Sequence, residues 1–268
     1  MLSCLLILKW IQIQHLELEE ESQMIDRILP GMGIRSNVGV LGSCAVTMIV
    51  DDGKRVIVDV GHFGNREAML TSLKSRGLTP SDFDIVLLTH MHWDHSLNID
   101  LFPRARVIVD KEELERGNLT GTEDVHAQQF RKLIQSMTCE KIGDGYQITS
   151  HVKVISTPGH TVGHLSVICE DVKGRTVITG DAVPNLRAYR RGVPDLIFHD
   201  LEKAKSSVQK IKDLHSSMLI PGHDSPFNEG GYLSRDDFNL ILRTEKEENL
   251  IVGVRNVTAD QPQLLTSL

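Results

Sequence analysis

Between Thr89 and His95 the chain reads Thr-His-Met-His-Trp-Asp-His, which brings His90, His92, Asp94 and His95 within six consecutive positions. Imidazole nitrogen and carboxylate oxygen are the donors that suit divalent zinc, iron and manganese. Four such groups so close together cannot all reach one face of a helix or strand, so they predict a tight loop turned around an ion. Three further candidates lie downstream. His160 ends Thr157-Pro158-Gly159-His160, Asp181 follows Gly180, and His223 follows Pro221-Gly222.

Each candidate follows a short apolar run of the kind that forms a buried strand. Asp84–Leu88 precedes the histidine cluster, Val152–Ile155 precedes His160, Thr176–Thr179 precedes Asp181, and Met218–Ile220 precedes His223. Strand, sharp turn, ligand is thus repeated four times, which predicts one shared site at an edge of stacked sheets. Val46–Val50 and Val56–Val60 flank Asp51-Asp52-Gly53, a hairpin signal, and Val107–Val109 adds a strand. Helical spacing is read over Arg66–Ser75, ended by Gly77, and from Lys111–Arg116, Ala127–Met137, Leu201–Leu214 and Asp236–Leu250. The expected layout is an N-terminal extension over 1–23, one domain over 24–255 and a loose tail over 256–268. Leu2–Leu8 is too short to span a bilayer and lacks the basic start of a signal peptide, so no membrane partner is expected.

The series H-x-H-x-D-H, T-P-G-H, G-D and G-H, in this order, resembles the ligand series of the metallo-β-lactamase superfamily over roughly residues 28–228. The resemblance implies an α/β fold, the four-layer αββα sandwich, and two divalent metal ions per chain, zinc first, with iron or manganese as alternatives. His90, His92 and His160 make one site, Asp94, His95 and His223 the other, and Asp181 bridges, since ions roughly 3.5–4 Å apart share a carboxylate. A metal-bound hydroxide is then the expected nucleophile, with Asp94 as the catalytic residue that orients it. Asp59 matches the aspartate that supports the metal loop. His164 is expected to hold ligands by hydrogen bonds, and Trp93 to anchor the loop by packing. His62, Arg187, Arg190 and Arg191 are the candidate substrate contacts, the arginines being read as a loop. A metal-bound nucleophile needs no Ser/His/Asp or Cys/His set, and no G-x-S-x-G is present.

Within the superfamily, three stretches resemble a compact animal group, the metallo-β-lactamase domain-containing protein 1 type, itself glyoxalase II-like. They are Val58–Gly61 with Arg66–Ala68, Asp94-His95 with Leu101–Pro103, and Pro221–His223 with Pro226-Phe227. That likeness implies an endoribonuclease acting on histone pre-mRNA 3′ ends, a homodimer, and a place in the cytosol or nucleus. Kept beside it are a lactone or thioester hydrolase of the acyl-homoserine lactonase or glyoxalase II type, and a metal-binding module without catalysis. T-P-G-H-x-x-G-H and G-D-A favour the lactonase, although Tyr189 is then a distant substitute for its tyrosine. A net charge of −7 gives no overall basic face for nucleic acid. The four cysteines, Cys4, Cys44, Cys139 and Cys169, are dispersed and point to reduced thiols in an intracellular protein. With 268 residues, 40% of them apolar, one large core is affordable.

Overall fold

The structure is a computed structural model that describes residues 23–36, 39–116, 125–172, 174–236, 239–243, 249–253 and 263–264. The first half of the chain builds one sheet from β1 (Met24–Leu29), β2 (Val46–Asp51), β3 (Lys54–Val58), β4 (Ile85–Leu87), β5 (Arg106–Asp110) and β6 (Cys139–Ile142). These six strands lie side by side in chain order. The β1–β2 and β2–β3 pairs are antiparallel, and β3 to β6 run parallel. The second half builds a seven-stranded sheet from β7 (Gln147–Thr149), β8 (Val152–Ser156), β9 (Leu165–Asp171), β10 (Gly174–Gly180), β11 (Met218–Pro221), β12 (Phe227–Asn228) and β13 (Gly231–Tyr232). Only β10 and β11 are a parallel pair there. The β2–β3 turn carries positive φ at Asp52 (50°) and Gly53 (67°), as a two-residue hairpin with right-handed strand twist requires.

Alternation along the strands explains why they read as unbroken apolar runs. Val56, Val58, Ile85, Leu87 and Ile108 of the first sheet pack with Val152, Val154, Leu165, Val167, Ile178 and Ile220 of the second. Their neighbours Ile57, Val86 and Val107 point the other way, into a cluster with Met69 and Leu73 of α1 (Arg66–Ser75) and with Ile134. On the far side, Ile168, Val177 and Leu219 pack with residues of two later helices. Strands buried on both faces need no polar positions. The result is helix, sheet, sheet, helix, the expected αββα sandwich.

The remaining helices are α2 (Trp93–Ser96), α3 (Lys111–Arg116), α4 (Val125–Ser136), α5 (Leu186–Arg191) and α6 (Leu201–Lys212). Ala204, Val208 and Ile211 form the buried stripe of α6, two residues shorter than its spacing suggested. Two expectations are corrected. Asp236–Leu250 is not a helix: Asn239–Arg243 and Asn249–Gly253 form an antiparallel hairpin. The tail over 256–268 is not wholly loose, because Gln263–Leu264 pairs in parallel with Leu196–Ile197. The N-terminal extension, apart from Gln23, lies outside the described residues. No described helix is long and apolar enough to cross a membrane.

Candidate metal centre

Parallel pairing makes β3 and β4, and separately β10 and β11, end on the same side, and the connections after them carry the polar residues. Past β3 comes Asp59, in the left-handed region (φ 57°) that aspartate tolerates better than most residues. Past β4 the loop Thr89–His92 leads into the single turn of α2, where Asp94 and His95 sit. His160 stands in the turn between β8 and β9. Asp181 follows Gly180 (φ 50°) at the end of β10, and His223 follows Gly222 at the end of β11. A side chain at residue 222 would meet Asp181, since a Cβ there would lie 2.2 Å from Oδ1.

The structure brings all seven sequence-predicted ligands together. His92 Nδ1 lies 3.0 Å from His90 Nε2 and 2.9 Å from His160 Nε2. His223 Nε2 lies 3.4 Å from His95 Nε2 and 3.4 Å from Asp94 Oδ2. Asp181 stands between the two groups. Its Oδ2 is 3.4 Å from His160 Nε2, and its Oδ1 is 3.2 Å from His223 Nε2 and 3.4 Å from His95 Nε2. Donors on one tetrahedral zinc are about 3.3 Å apart, given bonds of about 2.05 Å.

Hydrogen bonds on the outer side of the rings fix what faces inward. His160 Nδ1 donates to the Leu196 carbonyl at 2.9 Å, His223 Nδ1 to the Ser43 carbonyl at 3.1 Å, and His95 Nδ1 to Asp59 Oδ2 at 2.7 Å. The Thr89 hydroxyl donates to Asp59 Oδ2 at 2.8 Å, so its oxygen is left to accept from His90 Nδ1 at 3.1 Å. In each neutral ring Nε2 therefore carries a lone pair. With the rings neutral, nitrogen lone pairs and carboxylate oxygens converge, and the buried Asp181 Oδ1 faces only the His223 and His95 rings, at 3.2 and 3.4 Å. Acceptors crowded this way repel one another unless cations lie between them, so the residues fit two divalent ions. Burial, reinforced by neighbouring histidines, holds the pKa of His90 and His92 well below the usual range, which keeps them neutral and able to ligate. Burial opposes ionisation of Asp181, but His223, His95 and His160, when protonated, overcome it and hold that carboxyl well below its usual value, a role that bound cations would take over.

Asp59 and His164, the two expected supporting residues, lie beside the cluster and bond to its loops. Asp59 accepts from the Thr89 N–H at 2.8 Å as well as from Thr89 Oγ1 and His95. His164 Nε2 accepts the Asp181 N–H at 3.0 Å, while its Nδ1 donates to Thr157 Oγ1 at 2.9 Å, so both ring nitrogens are engaged and the ring holds the Asp181 backbone. Trp93 stacks edge-on against His62 at 5.0 Å.

The substrate candidates fare differently. His62 is engaged at both ring nitrogens, Nδ1 accepting from Gly64 N at 3.0 Å and the ring also bonding the Gly42 backbone, so it shapes the loop. The arginines lie on α5, not on a loop. Arg191 is committed to Asp195 at 2.7 Å and to the Val193 carbonyl at 3.0 Å, while Arg190 is exposed. Tyr189 is buried against Phe227 on the far side of the second sheet. Three contributors carried no signal in the sequence. Thr89 sets the His90 tautomer. Asn98 Nδ2 binds the Val60 and His62 carbonyls at 3.0 and 2.8 Å. The Phe198 ring lies 4.6 Å from His92 and 5.3 Å from His160, giving the three-histidine group an apolar wall.

Comparison with known proteins agrees with this geometry. The family model described as Metallo-beta-lactamase superfamily matches residues 39–223. The beta-lactamase-like protein 2 homolog of Caenorhabditis elegans is 27% identical over 244 residues, 89% of this chain and 74% of that one. An N-acyl homoserine lactonase from a Bacillus species is 27% identical over 164 residues, 59% of this chain, which spans 62% of that relative's length. A Thermotoga maritima structure, solved as a candidate metallo-beta-lactamase, superposes with a TM-score of 0.65 at 23% identity and covers 78% of this chain and all of its own.

Proposed function

The chain belongs to the metallo-beta-lactamase superfamily, and from that premise we propose that it is a dinuclear metal-dependent hydrolase whose substrate is a small carboxylic ester or lactone. The observation that carries the dinuclear reading is the division of Asp181, whose two oxygens face different donor groups. His90, His92 and His160 would hold one ion, Asp94, His95 and His223 the other, with Asp181 between them. Such ions supply a water-derived nucleophile at neutral pH and polarise the substrate's oxygen. The chain's own residues do the rest. Asp59 and Thr89 keep the Nε2 lone pairs of His95 and His90 aimed inward. Asp94, beside His223 at 3.4 Å, would orient the attacking water with its carboxylate. Phe198 keeps solvent from the His92 and His160 rings and offers an apolar surface to an acyl group.

Commitment of Arg191 to Asp195 removes one of the three cations that a polyanion would use, and among the relatives is a protein named for lactone hydrolysis. An RNA phosphodiester, the histone pre-mRNA 3′ end in particular, stands as the second reading. It is favoured by the likeness of Val58–Gly61, Leu101–Pro103 and Pro226-Phe227 to the compact animal group, with the exposed Arg190 as its contact. The test is protein purified without chelator, analysed for metal and assayed side by side on a homoserine lactone, a glutathione thioester and an RNA fragment. Two equivalents of metal and lactone turnover, with a raised Michaelis constant in Phe198→Ala, are expected. A stoichiometry held at one or zero with metal in excess sinks the dinuclear site. RNA cleavage without lactone turnover moves the assignment to the second reading.

A further inference from the structure

Glu113 is a charged residue with no part in the ligand set, yet it is 1% exposed. It lies in α3, whose sequence Lys-Glu-Glu-Leu-Glu-Arg reads as a solvated face. Asp110 Oδ1 accepts from the backbone N–H groups of Glu112 and Glu113 at 2.7 and 3.2 Å, which fixes the first turn and with it the direction of the Glu113 side chain. The two carboxylate oxygens then go to two different loops. Oε1 accepts the N–H of Met91 at 3.0 Å, and Oε2 accepts the N–H of Gly163 at 2.9 Å.

Met91 lies between the ligands His90 and His92, and Gly163 closes the turn that carries His160. Gly163 sits so tightly on α3 that a Cβ there would come within 2.3 Å of both Asp110 Oδ1 and the Glu113 nitrogen. The loops are otherwise tied at the base of the site, where the Leu165 N–H donates to the Thr89 carbonyl at 2.8 Å. Glu113 makes the tie on the other side. Burying a carboxylate costs several kcal/mol unless it is fully hydrogen-bonded, so each oxygen's single backbone donor is a bond the fold cannot cheaply forgo.

We propose that Glu113 is a positioning residue for the three-histidine group: it sets the distance between the His90–His92 loop and the His160 turn, and so the metal affinity of that group and not of the Asp94, His95 and His223 group. The inference rests on the two-metal reading above. A carboxylate suits the task because both its oxygens only accept. An amide of the same shape turns an N–H toward one of the two backbone N–H groups and forces the loops apart.

The test is zinc competition against a graded series of chelators in wild-type protein, Glu113→Gln and Glu113→Asp, with the melting temperature of each metal-free protein measured in parallel. Wild-type protein that binds fewer than two zinc ions refutes the dinuclear reading itself. With two ions bound by the wild type, Glu113→Gln is expected to lose about ten- to a hundred-fold in affinity at one site, the loss usual for residues that orient metal ligands, and to keep the other. Cobalt substituted into the affected site should show an altered visible spectrum. Glu113→Asp keeps the charge but is one methylene too short to reach both loops, so it should lose affinity at the same site, and it serves if the glutamine variant does not fold. Unchanged affinity at both sites, or equal loss at both, overturns the proposal, whatever happens to the metal-free melting temperature.

Discussion

Asp59→Asn probes the chemistry of the centre without altering its ligands. Asparagine is, with aspartate, among the few residues that accept the left-handed backbone found there (φ 57°), so the loop is retained. What changes is the sense of two of its three hydrogen bonds. Asp59 now accepts from Thr89 N at 2.8 Å, Thr89 Oγ1 at 2.8 Å and His95 Nδ1 at 2.7 Å. If the amide oxygen keeps the backbone N–H, its NH2 group faces Thr89 Oγ1 and His95 Nδ1. His95 must then move its proton to Nε2, the atom that faces Asp181 and His223. The Thr89 hydroxyl, no longer donating to Asp59, turns toward His90 Nδ1 and drives that ring's proton to Nε2 as well. Two ligands, one in each metal group, thus present N–H where a lone pair is needed. Loss of a supporting partner costs about 10- to 100-fold per ligand, so the overall two-ion binding constant falls about 10²- to 10⁴-fold, or about 3–6 kcal/mol at 1.4 kcal/mol per decade. The measurement is zinc affinity by chelator competition, with circular dichroism as the control for folding. A folded Asp59→Asn that binds zinc within threefold of wild type would refute the tautomer argument.

Gly222→Ala places a methyl group where Asp181 Oδ1 is 2.2 Å away, so elemental analysis should find fewer than two metal ions per chain; two retained ions would show that Asp181 has room to move. Leu87→Ala opens a cavity between the sheets and should cost about 2–5 kcal/mol in urea unfolding, with metal stoichiometry unchanged. The Asp236 carboxyl is held below its ordinary 3.8 chiefly by the Arg27 guanidinium, with burial opposing. A carboxyl with a lowered folded-state pKa stabilises the fold above pH 3.8 and loses that contribution as pH falls through its folded value. Asp236→Asn should therefore be less stable than wild type at neutral pH, with the difference shrinking as pH falls through the folded-state value of Asp236. A difference that persists undiminished in acid would assign the effect to packing.

The parts of the fold that were legible in the sequence are those whose pattern is local. Ile85-Val86-Leu87 must be a strand with both faces covered, and Asp51-Asp52-Gly53 a turn, whatever surrounds them. The candidate ligands were legible because each lies in the connection that follows such a strand. What escaped depends on partners far along the chain. Asn239-Leu240-Ile241-Leu242-Arg243 is a short apolar run between charges, equally readable as helix or strand, and its pairing with Asn249–Gly253 decided the matter. Leu196–Ile197 found a partner at Gln263–Leu264, more than sixty residues on. Arg191 looked free for substrate until its bond to Asp195 was placed. Phe198 and Glu113 act through neighbours that only the docking of loops provides.

Because strands 24–142 complete one sheet before 147–232 begin the other, the centre is divided between two stretches of chain that are made at different times. The earlier stretch carries His90, His92, Asp94 and His95, and the later one brings His160, Asp181 and His223. An ion captured during synthesis meets a half-site of imidazoles and one carboxylate, whose preference follows the Irving–Williams order and favours copper over zinc. Selection by geometry begins only once the second sheet docks. On the two-metal reading, the choice of metal would be a kinetic matter of which closes first, the half-site on an available ion or the sandwich on itself. Once both had closed, bound ions would act as rivets between the sheets. An ion present at 100 times its dissociation constant then adds about 2.7 kcal/mol to the stability of the docked state.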